Sequence, residues 1–299
     1  MANQNTFTVS LSKEEQSRVR DVLLANSWNE EFDTNQYVSY RLKSPLGSVA
    51  IMYSSGKLVF QGRENFTSVI ANIKQENGES EIDFKPHLGV DEVGKGDYFG
   101  PLVVVSCFVN EDFYKKTKLL GFGDSKKFSD IKIRNFFDNV KDYPYYYSSV
   151  VVPSDYNELS KEYGNVSILL AKQHSIVIEK ALKDLKAKNI DCSYIVVDQF
   201  SAAKSRVVNE LGELGKAVEL RQFHKGESDI AVAAASIFAR GIFLQEWDKM
   251  NEKYDFVFPK GASNVIDSAK IFVSQYGMEE LRNVSKIGFR TTQELLKLL

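Results

Sequence analysis

The hydrophobic and polar positions of the first 74 residues follow two patterns, one typical of helices and one typical of strands. An apolar repeat with helical spacing begins at Ser12, and another begins at Glu64. Between them, the segments YVSYRLK, SVAIMY and KLVFQG are rich in strand-forming residues and are separated by turn residues. This order predicts a small α+β domain over residues 1–74 whose strands form antiparallel hairpins.

The pattern changes after this region. Residues 75–86, QENGESEIDFKP, are polar and contain Gly and Pro, which predicts an exposed linker. Four apolar runs rich in β-branched residues follow, HLGVDEV, PLVVVSCFV, SSVVV and SYIVVD, and they have the length of buried strands. A long helical repeat separates the last two runs, and another begins near Ile230. Residues 87–299 are therefore predicted to form an α/β domain with a mixed sheet.

Carboxylates interrupt this apolar pattern at three places. Asp91 and Glu92 lie inside one predicted strand, Asp198 ends another, and Glu227 and Asp229 precede a helix of small residues. Each has a plain structural interpretation: a buried ion pair, a turn residue, or an acid that complements a helix dipole. Together they suit hard cations such as Mg²⁺ or Mn²⁺, because buried charge needs compensation and oxygen ligands are preferred by these ions.

Three glycines follow the first carboxylates. Gly94, Gly96 and Gly100 give the spacing GxGxxxG, but a strand and not a helix follows, so a dinucleotide-binding turn is excluded. The glycines instead predict a tight turn whose amides approach a phosphate or a sugar. A plain hairpin turn is the alternative.

Composition adds limits on function and location. The chain has 299 residues, with 38 Lys and Arg against 40 Asp and Glu, so it lacks the strong positive charge of a simple nucleic-acid binder. Its two cysteines cannot form a disulfide framework, which predicts a reducing cytoplasm. The start of the sequence has no apolar core of a signal peptide, and no 18-residue apolar run is present, so neither export nor membrane insertion is expected.

Basic residues are nevertheless concentrated locally. The hairpin segments carry Arg41, Lys43 and Lys57 but no acid, and the aromatic residues Tyr40, Tyr53 and Phe60 lie between them. Such a face suits phosphate contacts and stacking. A solvated surface with the aromatic residues in the core is the alternative.

Four motifs in order resemble the type 2 ribonucleases H, and most closely the ribonuclease HIII group. They are GVDEVGKGDYFGPLVV, GFGDSKKFSD, YIVVDQF and KGESDIAVAAASIFAR, and the likeness spans residues 88 to 299. The resemblance implies a ribonuclease H-like fold, a mixed five-stranded sheet flanked by helices, preceded by a small TBP-like domain. It also implies endonucleolytic hydrolysis of the RNA strand of RNA/DNA hybrids by two Mg²⁺ or Mn²⁺ ions, leaving 5′-phosphate and 3′-hydroxyl ends.

The same resemblance assigns roles to residues. The catalytic and metal-binding set becomes Asp91, Glu92, Asp198 and Glu227, but Asp229 competes for the last place because the interval to the AAAS helix is about one residue short. Substrate binding falls to Gly94, Lys95, Gly96, Ser125, Lys126 and Lys127, with Arg41, Lys43 and Lys57 in the first domain. We expect a monomer that binds hybrid duplex without sequence preference. The alternatives are incision at single ribonucleotides in DNA, as in ribonuclease HII, and a catalytically dead hybrid-binding protein.

Overall fold

The computed structural model describes residues 5–62, 84–123, 125–198, 205–223 and 226–299. The chain falls into two compact units, one of residues 1–84 and 112–122 and the other of residues 85–111 and 123–299. The predicted helix from Glu64 and the predicted linker up to residue 83 lie outside the described residues. Helix α2, Glu111–Leu120, belongs to the first unit from Asp112 onward.

The first unit contains one antiparallel sheet with the strand order β1-β5-β4-β3-β2. The strands are β1 Asn5–Ser10, β2 Asn29–Glu31, β3 Val38–Lys43, β4 Val49–Tyr53 and β5 Lys57–Gly62. The three predicted strands and their hairpins are confirmed. β1 and β2 are additions that the sequence pattern did not predict.

Helix α1, Lys13–Ala25, covers one face of this sheet. Its start is fixed by a capping box, in which the Glu15 amide donates to Ser12 Oγ and the Ser12 amide donates to Glu15 Oε2 at 2.6 Å. Val19 and Leu23 of the helix pack in one core with strand residues such as Phe60. The helix thus forms the second layer of the unit.

The second unit contains a mixed sheet with the strand order β10-β9-β6-β7-β8. β10, β9 and β6 are parallel, whereas β7 is antiparallel to both β6 and β8. The bounds are β6 His87–Val93, β7 Leu102–Val109, β8 Tyr146–Val151, β9 Ile195–Asp198 and β10 Leu220–Phe223. The predicted mixed sheet is confirmed, and the carboxyl ends of the three parallel strands share one edge.

Helices complete the second unit around this sheet. They are α3 Asp130–Val140, α4 Pro153–Tyr163, α5 Val166–Ala187, α6 Ser205–Glu210, α7 Glu213–Lys216, α8 Ile230–Tyr254, α9 Ile266–Tyr276, α10 Met278–Val284 and α11 Arg290–Leu296. Single 3₁₀ turns are formed by Ser125–Lys127 and Gly226–Ser228. Both turns contribute residues to the candidate site.

The two central helices lie on opposite faces of the sheet. α5 packs in one core with Leu88 and Val90. Gly89, which points the other way because side chains alternate along a strand, faces α8 so closely that an added Cβ would lie 2.0 Å from the Ala231 carbonyl carbon. Among the described residues, α8 is long and apolar enough to cross a membrane, yet 72% of its apolar window is buried in the fold. Its apolar residues therefore serve the core.

Candidate active site

Asp91 and Asp198 are brought side by side by the parallel pairing of β6 with β9. Val90 pairs with Val197, so the next residue on each strand is one of the two aspartates. Neighbouring strands lie about 4.8 Å apart and alternation gives both side chains the same face, the one that α8 covers. The predicted meeting of these two carboxylates thus follows directly from strand register.

The Asp91 carboxylate is buried, with 4% of the residue exposed. It accepts a hydrogen bond from the Glu92 amide at 2.8 Å and another from the Ser236 hydroxyl on α8. These donors do not offset the environment: burial, together with the negative charge of Glu92, raises the pKa of Asp91 well above its usual range. A further cation at this position would therefore stabilise the ionised carboxylate.

Glu92 points to the opposite face of the sheet, towards α5. The buried His174 ring donates from Nε2 to Glu92 Oε2 at 3.1 Å, and Lys95 Nζ lies 3.8 Å from Oε1. Burial alone raises the pKa of Glu92, but the His174 hydrogen bond and the charges of Lys95 and Lys126 outweigh it and hold that pKa below the ordinary value. The surroundings therefore favour the ionised form of Glu92 and disfavour that of Asp91.

The turn before α8 distinguishes the two candidates for the fourth carboxylate. Asp229 is the N-cap of α8: its Oδ1 accepts from the Ala231 amide at 2.9 Å, and the His87 ring donates to its Oδ2 at 3.0 Å. His87 begins β6, four residues and about 13 Å of strand before Asp91. Asp229 is therefore engaged in a structural role away from Asp91.

Glu227 follows Gly226, which contacts Asp198 directly. The Gly226 amide donates to Asp198 Oδ1 at 2.9 Å, and an added Cβ on Gly226 would lie 2.9 Å from the Asp198 Cα. The backbone of Glu227 is consequently next to the Asp198 carboxylate, although its side chain lies outside what the structure describes. This placement favours Glu227 over Asp229.

Residues 94–101, which we call the glycine turn, join β6 to β7 as a hairpin loop. Gly94 has a φ of +89°, and an added Cβ would lie 2.1 Å from the Pro101 carbonyl oxygen, so only glycine fits. Gly96 has nothing within 4 Å of an added Cβ, so its surface is open to a ligand. Beyond the turn, the buried Lys286 ammonium donates to the carbonyl oxygens of Asp97, Phe99 and Gly100, at 2.9, 3.3 and 2.6 Å. The three hydrogen bonds from this ammonium fix the conformation of the loop.

The predicted SKK motif forms the 3₁₀ turn Ser125–Lys127. Ser125 is buried, and its hydroxyl bonds to the Ser236 hydroxyl, so this side chain links the turn to Asp91 and is not turned to solvent. Lys126 lies close enough to lower the pKa values of both Asp91 and Glu92. The charge of Lys126 therefore acts on both carboxylates.

The basic, aromatic face predicted in the first unit is different in the structure. Tyr40 and Phe60 are buried in the core with α1, so the expected position of these two aromatic residues among the basic side chains is wrong, whereas Tyr53 is only half-buried and is not part of that core. The unpredicted strand β2 brings Glu31 beside β3, where it pairs with Arg41 at 3.2 Å and with Lys43 at 3.2 Å. The positive charge of this region is partly neutralised, and the substrate-binding role of Arg41, Lys43 and Lys57 stays a prediction.

Oxygen donors dominate the edge where β6 and β9 end. Asp91, Glu92 and Asp198 offer carboxylates, and burial together with the charge of Glu92 raises the pKa of Asp91 in spite of the nearby Lys126. Within the described residues no three His, Cys, Asp or Glu side chains are grouped as a metal site, and the Glu227 side chain is not among those compared. The donor chemistry fits a hard divalent cation.

Known proteins match this chain over most of its length. The family model for ribonuclease HII matches residues 88–292. A ribonuclease HIII from Protochlamydia amoebophila is 34% identical over 262 residues, which are 85% of each chain. A ribonuclease HIII from Chlamydia pneumoniae is 32% identical over 297 residues, which are 97% of each chain. The chain belongs to the ribonuclease HIII family.

Solved ribonuclease HIII structures have the same fold. Bst-RNase HIII in complex with Mn²⁺ is 24% identical with a TM-score of 0.66, and the match covers 98% of this chain and 99% of that chain. Aquifex aeolicus RNase H3 is 25% identical with a TM-score of 0.56, over 95% and 100% of the two chains. The second unit therefore has the ribonuclease H-like fold, and as a ribonuclease HIII family member the chain is a nuclease of the ribonuclease H class.

Sequence reasoning missed two residues of this ribonuclease HIII site. His174 is buried on α5, and the apolar pattern of that helix gave no indication of its hydrogen bond to Glu92. Ser236 lies inside the AAAS run, and it contacts both Asp91 and Ser125. In both cases the signal available in the sequence was a polar residue on a helix face that has to be buried.

Proposed function

We propose that this protein cleaves the RNA strand of RNA/DNA hybrids, using two divalent cations held by Asp91, Glu92, Asp198 and Glu227 and leaving 5′-phosphate and 3′-hydroxyl ends. The observation that carries the proposal is the adjacency of Asp91 and Asp198 at the ends of β6 and β9, with Gly226 against Asp198. The names of the relatives support the substrate class.

The protein's own groups have distinct tasks in this reaction. Ser236 and the Glu92 amide orient the Asp91 carboxylate, and His174 orients Glu92. Mg²⁺ or Mn²⁺ bound by the carboxylates would neutralise phosphate charge and make water nucleophilic at neutral pH. Lys126 adds positive charge beside the same carboxylates, which favours an approaching phosphate.

Selection of the hybrid rests on the loop that follows β6. The open surface at Gly96 and the tight turn at Gly94 allow backbone amides to approach a ribose 2′-hydroxyl, which distinguishes RNA from DNA without reading a base. Lys95, with 43% of its side chain exposed and its Nζ 3.8 Å from Glu92 Oε1, adds positive charge beside this loop, which favours the approach of a phosphate. This arrangement favours cleavage that is independent of sequence.

We extend the proposal to the first unit and to the protein's surroundings. Arg41, Lys43 and Lys57 would add phosphate contacts, with a moderate contribution because Glu31 already shares the first two. The protein would act as a monomer. The free thiols of Cys107 and Cys192 are compatible with the reducing cytoplasm.

A cleavage assay with end-labelled substrates tests the proposal. We expect Mn²⁺- or Mg²⁺-dependent cutting at many positions of an all-RNA strand annealed to DNA, new 5′-phosphate ends, and no cutting after chelation. A strand with one ribonucleotide in DNA is the matched control and should be cut far more slowly. Preferential cutting of that control would instead assign ribonuclease HII-like specificity, and tight hybrid binding without any cutting would assign a binding protein.

A further inference from the structure

Residues 258–263, FPKGAS, lie outside every proposed catalytic role, yet they contact both sides of the site. We call them the tie segment. Its first residue, Phe258, is buried and anchored to α8: Trp247 Nε1 donates to the Phe258 carbonyl at 3.2 Å, and the Phe258 amide donates to Asn251 Oδ1 at 3.1 Å. The first residue of the tie segment is therefore fixed against α8.

One end of the tie segment bonds to the glycine turn. The Gly261 amide donates to Asp97 Oδ1 at 2.6 Å, and the Tyr98 amide donates to the Gly261 carbonyl at 2.8 Å. Asp97 immediately follows Gly96, so this two-sided pairing fixes the backbone just after the proposed 2′-hydroxyl contact. Gly261 has a φ of +82°, a conformation that favours glycine at this position.

The other contact of the tie segment reaches the 3₁₀ turn Ser125–Lys127. Lys260 Nζ donates to Asp130 Oδ2, and Arg240 donates to Asp130 Oδ1 at 2.8 Å. Arg240 also donates to the Ser125 carbonyl, and to the Phe128 carbonyl at 3.2 Å. Burial raises the pKa of Asp130, but Lys260 and Arg240 outweigh it and hold that pKa below the ordinary value. Lys260 is thus joined to the Lys126 turn through two charged groups.

The two contacts connect loops that are far apart in sequence but flank the same carboxylates. We infer that the tie segment sets the spacing between the glycine turn and the Ser125–Lys127 turn, and that Asp97 and Lys260 are positioning residues for hybrid binding. This inference rests on the proposed function. Because the Lys260 ammonium is engaged by Asp130, its role differs from that of a lysine that binds phosphate.

Steady-state kinetics of variants at several salt concentrations test the inference. Lys260→Met should raise KM for the hybrid about tenfold with little change in kcat, the size expected when one charge-assisted hydrogen bond that orders a binding loop is lost. The slope of log affinity against log salt should stay unchanged, whereas a lost phosphate contact lowers it by about one. Lys260→Arg should restore KM, because a guanidinium can also bond to Asp130.

A second pair of variants tests whether both contacts act through one segment. Asp97→Ala should also raise KM, while Asp97→Asn, which keeps an acceptor for the Gly261 amide, should restore it. The combination Lys260→Met with Asp97→Ala should raise KM by much less than the product of the single effects, since either change already frees the segment. Lys249→Met removes a surface ion pair with Glu246 on α8 and should leave KM at the wild-type value.

Hydrogen exchange of the substrate-free protein separates this inference from the proposed function. Lys260→Met should accelerate amide exchange both around Asp97 and around Phe128, and this holds whatever the enzyme cleaves. Unchanged exchange at both turns, or a salt slope reduced by one with KM raised, would overturn the positioning role. Failure of the wild-type protein to cleave hybrid, with the exchange result as expected, would overturn the proposed function alone.

Discussion

Replacing Gly89 by alanine perturbs the closest approach between β6 and α8. The new Cβ would lie 2.0 Å from the Ala231 carbonyl carbon and 2.2 Å from the Val232 amide nitrogen, and both are backbone atoms that cannot rotate away. An ordinary contact begins at 3.4 Å, so the helix and strand must separate by about 1.4 Å to accept the new Cβ. Because α8 is packed on its other sides, we expect a loss of about 3 kcal/mol in the free energy of unfolding.

The same separation should impair catalysis. Ser236 of α8 bonds to Asp91, and the turn that contacts Asp198 leads into the start of α8. A displacement above 1 Å in such a site costs roughly 100-fold in rate. Urea unfolding with an unchanged slope, together with single-turnover cleavage below the unfolding transition, measures both effects.

Gly288→Ala is the matched control for this experiment. Gly288 lies in an exposed turn with nothing within 4 Å of an added Cβ, so stability and rate should be near wild type. If Gly89→Ala had the wild-type unfolding midpoint and cleavage rate, the close packing of β6 on α8 could not be what positions Asp91. The account of the site from strand and helix geometry would then be refuted.

Three other changes probe single contacts. His174→Leu removes the donor to Glu92 and should weaken Mn²⁺ binding by about 10- to 100-fold in calorimetric titrations, and unaltered affinity would exclude the orienting role. Glu227→Gln should abolish cleavage without lowering the thermal midpoint, whereas Asp229→Ala should keep cleavage but cost about 1 kcal/mol of stability as a lost N-cap; the reverse pattern would exchange their assignments. Burial lowers the pKa of Lys286 to about 7, so the folded protein binds fewer protons than the unfolded chain between about pH 7 and about pH 10. The free energy of unfolding of the wild type, relative to that of Lys286→Met, should therefore rise by up to about 1.4 kcal/mol per pH unit. Urea unfolding of both proteins between about pH 7 and pH 8.5 measures this difference. Parallel pH profiles of the two proteins would contradict the prediction.

The sequence was sufficient to predict the strands and helices that the local pattern of apolar residues determines. The apolar runs around Asp91 and before Asp198 predicted buried strands, and parallel pairing then places their carboxyl ends together. The start of α8 near Ile230 was likewise visible, since small apolar residues follow an acidic N-cap. The identity of these strands and of this helix depends on residues close to each other in the chain.

Other features depend on contacts between distant segments, which local pattern does not contain. Tyr40 and Phe60 were expected beside basic residues, but alternation along their strands turns them to α1. Glu31 reaches Arg41 only because β2 pairs with β3. The orientation of Ser236 likewise depends on how α8 lies on the sheet. Such pairings decide charge and access, so the site's surroundings could not be predicted from composition.

The near balance of charge over the whole chain hides a separation of roles. The net charge of −2 sums acidic residues at the proposed metal site with lysines placed around it. Lys95 and Lys126 both lower the pKa of Glu92, so two lysine charges lie close to these carboxylates. We therefore expect hybrid affinity to fall with salt.

The central claim is that the carboxylates at the ends of β6 and β9 perform metal-dependent cleavage of the RNA strand. Single-turnover cleavage of a labelled hybrid by Asp198→Asn, at saturating Mn²⁺ and with hybrid binding measured in parallel, tests it most directly. We predict binding close to that of the wild type and no detectable cleavage. Cleavage at the wild-type rate would contradict the account.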